Sequence, residues 1–123
     1  MAKILIVDDD PDIAEASQLF LRKEGHQIET ARSRSEGMQK LASFQPDLMI
    51  LDVMMERPDD GIAMAQDLRR LGMQLPILML TSITTASGLA FDKDPEMVPV
   101  DAFQAKPVEP AVLVKRVAEL LQR

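Results

Sequence analysis

The 123-residue chain is long enough for one ordinary domain that buries roughly two thirds of the surface its unfolded form exposes. It needs no disulfide to fold and contains no cysteine. Its 20 acidic against 14 basic residues give a net charge of −6, which opposes direct binding of nucleic acid, where affinity comes largely from phosphate neutralisation by Lys and Arg.

The opening MAKILIVDDD has one lysine, a short apolar run and then three acids, which is not the pattern of a secretory signal. Other apolar stretches are interrupted by charge too soon to form a membrane-spanning helix. A cytoplasmic protein with no membrane association is expected. No linker or repeat interrupts the chain, so residues 1–123 are read as a single domain with no room for an output domain.

Ile4 to Val7 is apolar without alternation, the pattern of a strand covered on both faces of a parallel sheet. From Pro11 to Glu24, Ile13, Ala16, Ser17, Phe20 and Leu21 recur at helical spacing. Asp10 is placed as N-cap, Pro11 at the first turn and Gly25 as the stop. His26 is read as a solvent-exposed turn residue before a weaker strand candidate, Gln27 to Thr30. The capping box Ser33 to Glu36 opens a second helix with Met38, Leu41 and Ala42 inward, ending before Pro46.

Leu48 to Leu51 is a third strand. The next helix is read over Ala63 to Leu71, with Ala65, Leu68 and Leu71 inward and Gly72 as its end. Ile77 to Leu80 and Ala102 to Ala105 are the fourth and fifth strands. A closing helix from Pro110 to Leu121 carries Leu113, Val117, Leu120 and Leu121 on one face. The nine methionines mostly fall on strands or inward helix positions, where flexible thioethers fill gaps.

Short strands joined by right-handed helical crossovers assemble into a doubly wound α/β fold. A five-stranded parallel sheet of order 2-1-3-4-5 is predicted. Ligands of such sheets bind beyond the carboxyl ends of the strands, where the strand order reverses. At those ends stand Asp8 and Asp9 after the first strand, Asp52 after the third, Thr81 after the fourth and Lys106 after the fifth.

Two ionised carboxylates about 4 Å apart repel by roughly 4 kcal/mol at an effective dielectric near 20. Such a cluster calls for a cation. An oxygen-only ligand set suits Mg2+, whereas zinc is disfavoured in a chain with no cysteine and one histidine. An Asp carboxylate can attack phosphorus, and a nearby Lys and hydroxyl can bind the phosphoryl oxygens as charge develops. Helix capping accounts for Asp10 but not for the adjacent pair Asp8 and Asp9 together with Asp52.

The segments ILIVDDDPD, LMILDVMM, ILMLTS and AFQAKP, in this order and spacing, make the chain similar to the receiver domains of two-component response regulators over nearly its whole length. The resemblance implies the flavodoxin-like receiver fold. It implies that Asp52 is the phosphoacceptor, and that Asp9, Asp52 and the backbone carbonyl of Met54 hold Mg2+, with Asp8 assisting through water. Thr81 and Lys106 would contact the phosphoryl oxygens, the Lys106–Pro107 peptide would be cis, and Phe103 would be the aromatic switch residue that follows Thr81 inward. The implied partners are a sensor histidine kinase or a histidine phosphotransfer protein, as in a phosphorelay, and a downstream protein target.

Two segments depart from the family pattern. The loop Glu56 to Gly61 is one residue longer than usual. Between Thr81 and Phe103 the chain has Gly88, Pro95 and Pro99, which break any long helix. The family's fourth helix is therefore expected to be short, displaced or missing, which points to an unusual partner.

Other functions fit less well. Asp8 and Asp10 form the D-x-D of a haloacid-dehalogenase-type phosphatase, but Asp12 stands where that family expects Thr or Val. An EF-hand fails because Ile13 and Leu19 occupy the Gly and Glu positions. A receiver-like interaction module that is never phosphorylated would not require all five site residues. The chain is read as a switch that gains and loses its own phosphoryl group, not as a turnover enzyme.

Overall fold

The computed structural model describes residues 2–52, 60–82, 100–106 and 109–122. In chain order the elements are β1 (Lys3–Val7), α1 (Pro11–Lys23), β2 (Gln27–Ala31), α2 (Arg34–Phe44), β3 (Leu48–Asp52), α3 (Asp60–Arg70), β4 (Ile77–Ser82), β5 (Ala102–Lys106) and α4 (Pro110–Leu121). All strand pairs are parallel and the sheet order is β2-β1-β3-β4-β5, as the alternation of strands and helices predicts.

The unbroken apolar runs divide by parity between two cores, which is why they show no alternation of polarity. Leu5, Val7, Met49, Leu51 and Met79 meet Leu41 of α2 and Met64, Ala65 and Leu68 of α3 on one face. Ile4, Ile6, Ile50, Leu78 and Leu80 meet Ala14 and Leu21 of α1 and Leu113, Val117 and Leu120 of α4 on the other. Each fully buried Leu, Ile, Val or Met among them contributes about 1.5–3 kcal/mol.

Helix starts follow the capping chemistry. Asp10 accepts the N–H groups of Asp12 at 3.0 Å and Ile13 at 3.4 Å. Ser33 Oγ accepts from Glu36 N at 3.1 Å. The return bond of the capping box is displaced by one residue, since Glu36 Oε1 accepts from Arg32 N at 2.9 Å.

Several inward assignments need correction. Ala14, not Ala16, is buried on α1, and Ala42 of α2 is exposed. Helix α3 begins at Asp60 rather than Ala63, and Leu71 lies beyond it, 66% exposed. Strand β1 starts one residue before the reading, β2, β3 and β5 each run one residue further than read and β4 runs two further, so Asp52, Thr81 and Lys106 lie in their strands rather than after them. His26 is half-buried, not solvent-exposed.

The segment expected to hold the short or missing fourth helix, and residues 53–59 of the longer loop, lie outside the described residues. Among the described residues there are four helices, and none is long and apolar enough to cross a membrane.

Candidate functional site

The parallel register brings the ends of β1 and β3 side by side. Asp8 follows β1, and its N–H donates to the Ala31 carbonyl at 3.0 Å, extending the pairing with β2 past the strand end. Asp52 is the last residue of β3 and pairs with Leu80. Both acids are buried, at 1% and 6% exposure, whereas Asp9 is exposed. Burial of an acid at the end of an apolar strand is costly without compensating partners. Asp8 has one such partner in the Asp10 N–H, which donates to its Oδ1 at 2.9 Å.

One carboxylate oxygen from each of Asp8, Asp9 and Asp52 lies within 4.8 Å of the others. These three sequence-predicted residues therefore do come together. Their donors are all hard oxygens, two in a buried setting and one open to solvent, which fits a divalent cation that retains waters. At such separations, uncompensated carboxylates repel by a few kcal/mol.

The remaining site candidates are placed through the backbone. Thr81 lies in β4 opposite Ala105, and Lys106 ends β5 opposite Ser82, so both stand at carboxyl ends of the same sheet. Phe103 lies opposite Met79 and packs, half-buried, on the core beneath α2 and α3. Met54 and Pro107 lie outside the described residues. Asp10 belongs to the cap of α1.

Beside Asp8 opens a groove of about 280 Å³, lined by Pro11, Ala14, Glu15 and Gln18 of α1 and by Thr30, Ala31 and Arg32. Sequence reasoning placed Pro11 and Thr30 in their elements but assigned none of these residues to a site. A signal was present, because 11, 14, 15 and 18 share one face at helical spacing, but only the closure of β2 against β1 turns that face into a groove wall. Asp60, buried at 7% at the start of α3, was missed because that helix was read as starting later.

Fold and site together define a doubly wound α/β protein with an oxygen-donor acid cluster at the carboxyl edge, where the strand order reverses. The chain belongs to the response regulator receiver domain family, whose model matches residues 4–118. It is 36% identical over 98% of its length to the alkaline phosphatase synthesis transcriptional regulatory protein PhoP of Bacillus subtilis, covering 49% of that protein. It is 35% identical over its whole length to the transcriptional regulatory protein AfsQ1 of Streptomyces coelicolor, covering 52% of it.

The chain thus spans about half the length of these curated relatives. Among solved structures, the BeF3-activated N-terminal receiver domain of Klebsiella pneumoniae RstA superposes with a TM-score of 0.85 at 29% identity, covering 98% of this chain and 99% of that one. The protein is a receiver domain of two-component signal transduction, and receiver domains are signalling switches.

Proposed function

We propose that this receiver takes a phosphoryl group onto Asp52 from the phosphohistidine of a sensor kinase or phosphotransfer protein, and passes the signal on by protein contact. The observation that carries the reading is the convergence of Asp8, Asp9 and Asp52, two of them buried, at the strand ends. A carboxylate oxygen of Asp52 attacks phosphorus and an O–P bond forms. The P–N bond breaks, and the departing imidazole keeps the electron pair and takes a proton from water.

Asp8, Asp9, Asp52 and the Met54 carbonyl would hold Mg2+, which when bound neutralises charge on the phosphoryl oxygens. Thr81 and Lys106 are assigned to those oxygens, and Phe103 to the response. Loss of the group by hydrolysis resets the switch, so the chain is not a turnover enzyme.

The net charge of −6 supports a protein target rather than nucleic acid for this domain, and a cytoplasmic setting follows from the kinase partner. The 1–123 span is read as one receiver domain, and the unusual sequence of residues 82–102 is read as shaping partner choice.

Incubation with Mg2+ and acetyl phosphate, followed by intact-mass measurement, tests the assignment. The native chain is expected to gain one phosphoryl group and Asp52→Asn none. Equal gain by both chains would move the acceptor elsewhere. No gain by either, even with candidate kinases supplied, would favour the unphosphorylated interaction module.

A further inference from the structure

The ion pair between Arg69 and Asp101 lies at the amino end of the sheet, away from the acid cluster. Asp101 stands one residue before β5. Its N–H donates to the Ile77 carbonyl at 3.0 Å, and its Oδ2 accepts the Ile77 N–H at 2.8 Å. Backbone and side chain of one residue thus grip both main-chain groups of the first residue of β4.

The same oxygen accepts from Arg69 Nη2 at 2.9 Å, while Arg69 Nη1 donates to the carbonyls of Met73 at 3.0 Å and Leu75 at 2.8 Å. The two side chains are only 24% and 23% exposed. One guanidinium and one carboxylate therefore join α3, the loop after it, β4 and the entry to β5.

This junction matters because β5 is a five-residue strand that, among the described residues, pairs with β4 alone at the edge of the sheet. Register in such a strand is set by its pattern and its end contacts, and the only large apolar side chain in β5 is Phe103. Ala102 packs on the α1/α4 core and Phe103 on the α2/α3 core. A slip of one residue would turn Phe103 to the opposite face and carry Lys106 about 3.3 Å along the strand.

We propose that Arg69 and Asp101 are positioning residues that lock the register of β5, and so set Lys106 for phosphoryl capture and Phe103 for the switch. The second half of this statement rests on the phosphoryl-acceptor reading above. Asp8 and Asp9 follow β1 and Asp52 ends β3, and none of the three is among the partners given above for Arg69 and Asp101.

The test compares native protein with Asp101→Ala, Asp101→Asn and Arg69→Gln by two readouts: rate of phosphoryl uptake from acetyl phosphate, and amide hydrogen exchange. Asp101→Ala is expected to slow uptake about tenfold through misplacement of Lys106, with Mg2+ affinity unchanged by NMR titration. Amides of Phe103 and Gln104 should lose protection while those of Ile6 and Ile50 keep it.

Asp101→Asn keeps an acceptor for the Ile77 N–H and should fall between, and it carries the same comparison if the alanine variant does not fold. Faster exchange in β5 with unchanged uptake would overturn the positioning role. A joint fall in uptake and Mg2+ affinity would do the same, because it would mark general damage to the site. Unchanged exchange in β5 would overturn the lock. A native chain that gains no phosphoryl group would instead overturn the functional reading, and the exchange comparison would then decide the register lock by itself.

Discussion

The single histidine sits in the turn between α1 and β2, where its Nδ1 accepts the Ala2 N–H at 3.2 Å. Burial is the main cause holding its pKa below the usual 6.5, with Glu24 acting in the opposite direction. A lowered folded-state value means that, in the window below 6.5, the unfolded chain binds more protons than the folded one. The His26 contribution to stability is therefore full above 6.5 and is lost as the pH falls through the folded-state value. Urea denaturation should show stability declining over that range, and His26→Gln should reduce the slope. An unchanged slope in the variant would assign the decline to the carboxylates. The acid cluster was legible residue by residue, because Asp at three positions after apolar runs has no other simple use. The half-burial of His26 was not, since a polar residue beside Gly25 carries no sign of which neighbour will cover it.

At the scale of elements, helix α2 offers two contrasted outcomes. Ser33→Ala removes the acceptor for Glu36 N and should cost about 1 kcal/mol, read by denaturation, without altering phosphoryl uptake. Gly37→Ala improves helix propensity by about 1 kcal/mol, but the new Cβ would meet Met64 Cε at 2.9 Å and the Val7 methyls at 3.1 and 3.3 Å. The methionine end can swing aside, whereas Val7 is fixed in the buried strand β1, so overpacking of about 1–3 kcal/mol wins and the variant is destabilised. In a Val7→Ala background the same substitution should become neutral or stabilising. A loss that persists there would implicate Met64 instead. Helix α2 itself was readable from its cap, but the close approach of Gly37 to β1 was not, because the inter-element distance depends on both partners.

For the whole molecule, a ligand that binds only the folded state raises stability by mass action. At 100 times its dissociation constant, Mg2+ would add about 2.7 kcal/mol, which for a domain of this size is roughly a 10 °C rise in melting temperature. Chelation should reverse the rise, and Asp9→Ala should diminish it. A melting temperature indifferent to Mg2+ would remove the metal from the proposed function.

The order of strands, the two-sided burial of the sheet and the gathering of Asp8, Asp9 and Asp52 were determined by the sequence alone. Apolar periodicity and crossover handedness are local rules that leave few topologies open. Tertiary structure decided the rest: which alanine of α1 turns inward, that Leu71 is left outside, and that Arg69 reaches across to Asp101. Each of these depends on where a second element comes to lie, and one residue of helix rotation or register exchanges an inward position for an outward one. Arg69 and Asp101 are 32 residues apart in the chain, and only the packing of α3 beside the entry to β5 makes them partners.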